Sequence, residues 1–300
     1  LWAPIKEKQV SIALDRTLNA GRLERDDDVH YDFATVPLPD GGVLVTYTDV
    51  TDTVRIEKAL RDKNTALEAA EKLKLDFLAN VSYQLRTPLN AIMGFNEMLS
   101  QEFFGALNEK QKEYTSDIHG ASERLLNLIN DILDLSTIEA GQMNLEIEAT
   151  PVKAMMESVH DLVCDWARKE HIEVSLKCPA NIGTAEIDSS RVKQAVINLV
   201  RNAISYTDEG GKIDLSASRK KDYIEISVTD NGSGIAKEDQ QRVLQPFERT
   251  GKEQSARGAG LGLTLVQNIV NLHGGEFVLD SVEGEGTTVT LRLPREAAEN

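Results

Sequence analysis

Residues 198–203 read Asn198-Leu199-Val200-Arg201-Asn202-Ala203, late in a segment that reads as a helix from Asp188 to about Tyr206. Two asparagines four residues apart lie on one face of a helix. Their amide oxygens suit a hard cation such as Mg²⁺, which is held by a few oxygens together with nucleotide phosphates. Downstream, Asp230-Asn231-Gly232-Ser233-Gly234-Ile235 follows directly on a strand-like run. An aspartate there can accept a hydrogen bond from an exocyclic amine, and its glycines allow close backbone approach. Next, Gly258-Ala259-Gly260-Leu261-Gly262-Leu263 opens another helical run. Backbone N–H groups at a helix N-terminus suit phosphate. Gly284-Glu285-Gly286-Thr287 separates the last two strand-like runs. Any one of these clusters reads as a tight turn; turns do not account for all of them in this order.

The surrounding pattern is mixed. Met143–Glu148 alternates like a strand, 152–169 is amphipathic, and Ile172–Leu176 reads as strand. Strands are predicted near 212–218, 223–229, 276–280 and 287–293, with a helix at about 261–273. Strands and helices interleaved in this way predict an α/β sandwich with a mixed sheet over 142–296.

Upstream the periodicity changes. Tyr114, Ile118, Ala121, Leu125, Leu128, Ile132 and Leu135 alternate spacings of four and three. Another helix runs from Asp76 to about Phe103, and Asn108 can cap the one that follows. Two such helices over 76–141 predict an antiparallel hairpin. One hairpin leaves a wide apolar stripe uncovered, and two close it as a four-helix bundle, so a homodimer is expected. Before it, Ile56, Leu60, Lys63, Leu67, Ala70, Lys74, Phe77 and Val81 form a heptad seam weakened by its lysines. Residues 53–75 therefore read as a parallel coiled-coil linker or as a solvated single helix. In residues 1–52, Tyr31–Leu38 and Val43–Thr48 read as strands around a Pro39-Asp40-Gly41-Gly42 turn.

The chain has 300 residues, 41% of them hydrophobic, and a net charge of −16. Such an acidic chain is poorly suited to nucleic acid, which requires concentrated Lys and Arg. Cys164 and Cys178 have no metal-ligand spacing, so a reducing compartment fits. No apolar run is long enough to span a bilayer. The chain begins Leu1-Trp2-Ala3-Pro4, so it reads as the cytoplasmic region of a longer protein, with membrane association through upstream sequence left open.

The glycine and asparagine clusters resemble the N, G1, G2 and G3 boxes of the GHKL ATPases, in the version used by histidine kinases. Phe247 within Gln245-Pro246-Phe247-Glu248-Arg249 resembles the F box. The resemblance implies ATP and Mg²⁺ as cofactors. It assigns Asn198 and Asn202 to the Mg²⁺–phosphate end, with Asn202 the likelier direct ligand. It assigns Asp230 to the adenine amino group and Tyr206 to the adenine flank. Gly260 and Gly262, with Leu261 between them, would lie at the phosphates. Gly232, Gly234, Gly286 and Thr287 would complete the pocket. A lid from about Arg249 to Gly258 would offer Arg249, Lys252 and Arg257. Asp-Val-Thr-Asp at 49–52, after the hairpin, resembles the end of a PAS sensory domain; an unrelated β-hairpin is the alternative.

Two departures from the family pattern bear on function. The family often writes Asn-Ala-x-Lys-(Phe/Tyr)-Thr, but here Ser205 stands at the Lys position. The segment Phe77–Ile92 resembles the H box, yet Tyr83-Gln84 stands where the family has His-Glu or His-Asp. Neutral imidazole is a competent nucleophile near pH 7, whereas a phenol has a pKa of about 10 and needs a base. Gln84 supplies none, so nucleophile and base have changed together. A tyrosine phosphate ester also lies lower in energy than a phosphoramidate, which makes transfer to an aspartate uphill. Thr87, at the family's water-orienting position, is retained.

The Tyr-Gln pair in an otherwise intact H box resembles a tyrosine-bearing branch of alphaproteobacterial cell-cycle sensor-kinase homologues. That resemblance implies response-regulator receiver domains of the DivK and CtrA type as partners, together with other kinases. Two functions stay open: a pseudokinase scaffold that binds ATP and docks regulators, and an atypical kinase that becomes a phosphoprotein at Tyr83.

Overall fold

The structure, a computed structural model, describes residues 19–25, 28–39, 42–248 and 259–295. The chain divides into two compact units, Leu1–Lys74 and Leu75–Asn300.

In the first unit, β1 (Asn19–Arg25), β2 (Val29–Pro37) and β3 (Val43–Asp49) form an antiparallel sheet in that order. The anticipated hairpin is there, with Tyr31 opposite Asp49 and Pro37 opposite Val43. β1 was not anticipated, because Asn19–Arg25 carries charges and glycine rather than strand-forming residues. Asp40 and Gly41 of the turn lie outside the described residues. The sheet hands over to a helix at Thr51. The Asp49 carboxylate accepts from the Thr51 N–H at 3.0 Å, and the Thr51 hydroxyl accepts from the His30 N–H at 2.9 Å.

That helix, α1, runs from Thr51 to Ser100 and includes Pro88. In its first half Ile56, Leu60 and Leu67 stand exposed. In the second unit α1 is followed by α2 (Glu109–Glu139), which starts where a capping box is made. Asn108 accepts from the Gln111 N–H, and Gln111 accepts from the Asn108 N–H. Cross-links tie the two helices together: Asn96 Nδ2 donates to the Thr115 carbonyl and Arg86 donates to Asn130 Oδ1, both at 2.8 Å. Outside them a wide apolar face, including Ile92, Phe95, Ile118 and Leu125, remains exposed on the single chain.

The rest of the second unit is the anticipated mixed sheet with helices. β5 (Glu173–Lys177), β7 (Lys212–Arg219), β8 (Tyr223–Asp230), β10 (Gly286–Pro294) and β9 (Glu276–Val282) lie side by side in that order. Only the β5–β7 pair is parallel. Alternate residues of the central strands are buried: Ile213 and Leu215, Ile224 and Ile226, Leu291 and Leu293. They share one core with the apolar faces of α3 (Val152–Lys169), α4 (Ser189–Tyr206) and α5 (Gly262–Leu272). Of the expected strand Met143–Glu148 only the last residue is one: 143–147 are unpaired, and pairing begins at β4 (Glu148–Pro151), against β6 (Thr184–Ile187). Alternation there marks an extended segment whose Glu146 N–H donates to the Asp188 carboxylate at 3.0 Å instead of to a ladder.

α4 owes its position to its N-cap. Asp188 Oδ1 accepts from the Arg191 N–H at 3.0 Å. The Asp188 N–H donates to Nε2 of the buried His273 at 3.0 Å, and His273 Nδ1 lies 2.8 Å from the Ile269 carbonyl. A neutral ring with its proton on Nδ1 satisfies both contacts. His273 thus fastens the end of α5 to the start of α4. His273→Ala is expected to lower unfolding stability by about 1–3 kcal/mol, since it strands a buried N–H. Urea titration checks this, with a lower midpoint at unchanged slope expected.

Candidate functional site: a nucleotide pocket and a helical hairpin

Four segments converge at the C-terminal ends of α4 and β8. Asp230 ends β8, and its Oδ1 accepts from the Gly232 N–H at 2.9 Å and from the Thr287 N–H at 3.2 Å. One carboxylate oxygen therefore binds the G1 and G3 segments together, and no described residue hydrogen-bonds to the other. Burial pushes the Asp230 carboxyl above the usual carboxylate range, against the pull of those two N–H groups.

The glycines are there for space. A Cβ at Gly286 (φ 123°) would run into the Asp230 carbonyl, and one at Gly234 (φ 64°) into the Val282 carbonyl. Gly232 packs in the same way on the Tyr206 carbonyl. A Cβ at Gly262 would come within 3.3 Å of the Asn202 amide, so this glycine makes room for the N-box side chain. Gly260 and Phe247 meet through their backbones, the Phe247 N–H donating to the Gly260 carbonyl at 3.0 Å. The Leu261 side chain is buried in the interior, so Leu261 has only its backbone to offer a ligand. Tyr206 is exposed at the end of α4. Arg249, Lys252, Arg257 and Gly258, assigned to the lid, lie outside the described residues.

Asn198 is 5% exposed. Its Oδ1 accepts from Arg201 Nη2 at 3.0 Å, and its Nδ2 has no partner among the described residues. Asn202, one turn on, is half-buried. The Ser205 hydroxyl donates back to the Arg201 carbonyl at 2.8 Å, so it is turned into its own helix.

Two contributors escaped the sequence. Ser281 Oγ accepts from the Ile235 N–H at 2.8 Å and donates to the Gly286 carbonyl at 3.0 Å, joining G1 to G3. Arg201 sits between the N-box asparagines and bonds to the first of them. A lone serine in a strand carries no signal, and an arginine in a helix reads as surface charge.

On the hairpin, Tyr83 is 67% exposed. The Thr87 hydroxyl donates to the Tyr83 carbonyl at 3.2 Å, within its own helix. Among the described residues nothing hydrogen-bonds to the Tyr83 hydroxyl. Elsewhere Glu24, Asp28 and His30 have metal-ligating atoms close together, but Arg55 Nε lies 3.5 Å from the Asp28 carboxylate and already meets its charge.

A carboxylate seated between glycine turns, an asparagine against a glycine-led helix, and a two-helix hairpin carrying an H-box-like segment define a sensor-kinase core. The family model described as "Histidine kinase-, DNA gyrase B-, and HSP90-like ATPase" matches residues 187–297, and "His Kinase A (phospho-acceptor) domain" matches 73–141. The chain belongs to the histidine kinase family. Its relatives include the sensor protein DivL of Caulobacter vibrioides. The two are 35% identical over 279 residues, covering 93% of this chain and 36% of DivL. The "Non-motile and phage-resistance protein" of the same organism is 42% identical over 234 residues, covering 76% of this chain and 28% of that protein. The chain thus spans about a third of the length of these relatives. Among solved structures, full-length ShkA in complex with AMPPNP aligns with a TM-score of 0.61 at 27% identity, covering 75% of this chain and 47% of ShkA. No helix among the described residues is long and apolar enough to cross a membrane.

Proposed function

We propose that this chain is the signalling core of a cell-cycle sensor-kinase homologue that binds ATP with Mg²⁺ and works mainly as a scaffold. In this reading it docks response-regulator receiver domains of the DivK and CtrA type and regulates other kinases. Residues 142–296 hold the nucleotide. Asp230 takes the adenine amine on its free oxygen, Asn202 faces Mg²⁺, and Gly260 and Gly262 let backbone approach the phosphates. Residues 76–141 form the docking bundle of a homodimer, in which a second copy covers the exposed apolar face. Residues 53–75 are a coiled-coil linker, and residues 1–52 are the C-terminal part of a PAS input domain.

One observation carries the scaffold reading. Tyr83 is exposed with no base on its hydroxyl among the described residues, and its neighbour is an amide, so the acceptor pair lacks the family's histidine and carboxylate. The opposing consideration is the retention of the N, G1, G2 and G3 motifs, which favours an atypical kinase that phosphorylates itself on Tyr83. Binding of a purified receiver domain by the whole chain, titrated for wild type and Tyr83→Phe, tests the scaffold. Affinities within about twofold of one another are expected, because the phenol hydroxyl is not needed for docking. No binding by either chain would sink the proposal.

A further inference from the structure

We propose that Arg201 is a positioning residue of the nucleotide site, for which Asn198 and the hairpin residue Asp131 compete, so that hairpin contact primes the Mg²⁺–phosphate end. The inference rests on the reading that Asn198 and Asn202 serve that end.

The contact lies within the second unit. α4 presents Arg191, Gln194 and Arg201 to α2, where Asp131 and Asp134 are one turn apart. Arg191 Nη1 lies 3.0 Å from Asp134 Oδ1, and Gln194 Nε2 donates to Asp134 Oδ2 at 2.7 Å. Asp134 is thus well satisfied. Asp131 is less closely held: it is buried, and Arg201 Nη2 lies 3.6 Å from its Oδ2. The same Nη2 hydrogen-bonds to Asn198 Oδ1 at 3.0 Å. Burial pushes the Asp131 carboxyl up and Asp134 adds to that, against the pull of Arg201.

Oδ1 is the sole acceptor on the Asn198 side chain. A guanidinium resting on it disfavours a second cation there by like-charge repulsion. Asp131 offers the guanidinium an alternative seat. When Arg201 moves fully onto Asp131, Asn198 is free to face the metal end, and the buried carboxylate gains its hydrogen bond. Metal loading and the α2–α4 contact therefore favour each other, and the coupling is reciprocal.

The signs of the effects are distinctive. Binding of AMPPNP to the whole chain is measured by calorimetry across a Mg²⁺ series. Arg201→Met removes the competitor and is expected to raise Mg²⁺-dependent affinity about fivefold or more, and Asp131→Asn is expected to lower it by a similar factor, the lower end of typical couplings. Asp131→Asn in the Arg201→Met background is expected to change nothing. Affinity without Mg²⁺ is expected to stay constant throughout. Shifts in the same direction for both single variants, or an undiminished Asp131→Asn effect without Arg201, overturn the proposal. If a variant fails to fold, the Arg201 guanidinium signal of the wild-type chain decides. Mg²⁺–AMPPNP is expected to shift it relative to AMPPNP alone, and an unmoved signal overturns the coupling. A wild-type chain that binds receiver domains but whose AMPPNP affinity ignores Mg²⁺ overturns the metal reading and this inference together.

Discussion

Asp230→Asn is expected to lower nucleotide affinity about ten- to hundredfold while leaving the fold intact. In the proposed function the free carboxylate oxygen is the pocket's acceptor for an exocyclic amine. Converting it to NH₂ sets donor against donor and removes a charge-assisted hydrogen bond, a change of roughly 1.5–3 kcal/mol. Oδ1 survives in the variant, so the Gly232 and Thr287 N–H groups keep their acceptor. The sign of the stability effect follows from the carboxyl. Its folded-state pKa lies above the ordinary value because of burial. The stability it contributes is present below the ordinary aspartate pKa and is lost as pH rises through the folded value. A neutral amide escapes that loss, so the variant is expected to be no less stable than wild type at neutral pH. Calorimetric titration with AMPPNP beside a thermal melt separates the two effects. Retained affinity would show that the adenine amine is read elsewhere.

Restoring the missing acceptor pair is expected to have the other large effect. The double change Tyr83→His with Gln84→Glu returns a nucleophile that is neutral near pH 7 and a carboxylate to orient it and take its proton. Labelling from ATP at position 83, in an acid-labile linkage, is expected to exceed that of either single variant by about a hundredfold, the scale of positioned general-base catalysis. The single variants separate the roles, since a histidine without the carboxylate lacks its proton acceptor and a carboxylate beside tyrosine lacks the nucleophile. If the double variant stays unlabelled although it binds ATP, the obstacle lies in the nucleotide domain. Ser205, whose hydroxyl is spent on its own helix, is the first residue to suspect there.

Much of this was legible because each signal was local. Helices 152–169 and 189–206 announce themselves by one apolar face each, and Asn108 and Asp188 cap helices where capping residues stand. The glycine clusters could be read because φ and space at Gly234 and Gly286 admit nothing larger. What escaped is what depends on partners far along the chain. Ser281 matters only because β9 brings it beside Ile235 and Thr287. Arg201 bonds locally to Asn198, but its second neighbour, Asp131, is brought to it by α2 from 70 residues away in the chain. His273 bonds to the Asp188 N–H across 85 residues, a contact with no local signature. Residues 143–147 misled for the complementary reason: alternation reports an extended chain, while a strand also needs a neighbour to pair with.

The scaffold reading turns on whether Tyr83 ever receives phosphate. The most direct measurement incubates the whole chain with γ-labelled ATP and Mg²⁺, under conditions where nucleotide binding has been verified, and compares wild type with Tyr83→Phe. Incorporation at background level, the same in both chains, is the predicted result. Acid-stable label that appears in wild type and is lost in Tyr83→Phe would contradict the account and establish a tyrosine-accepting kinase.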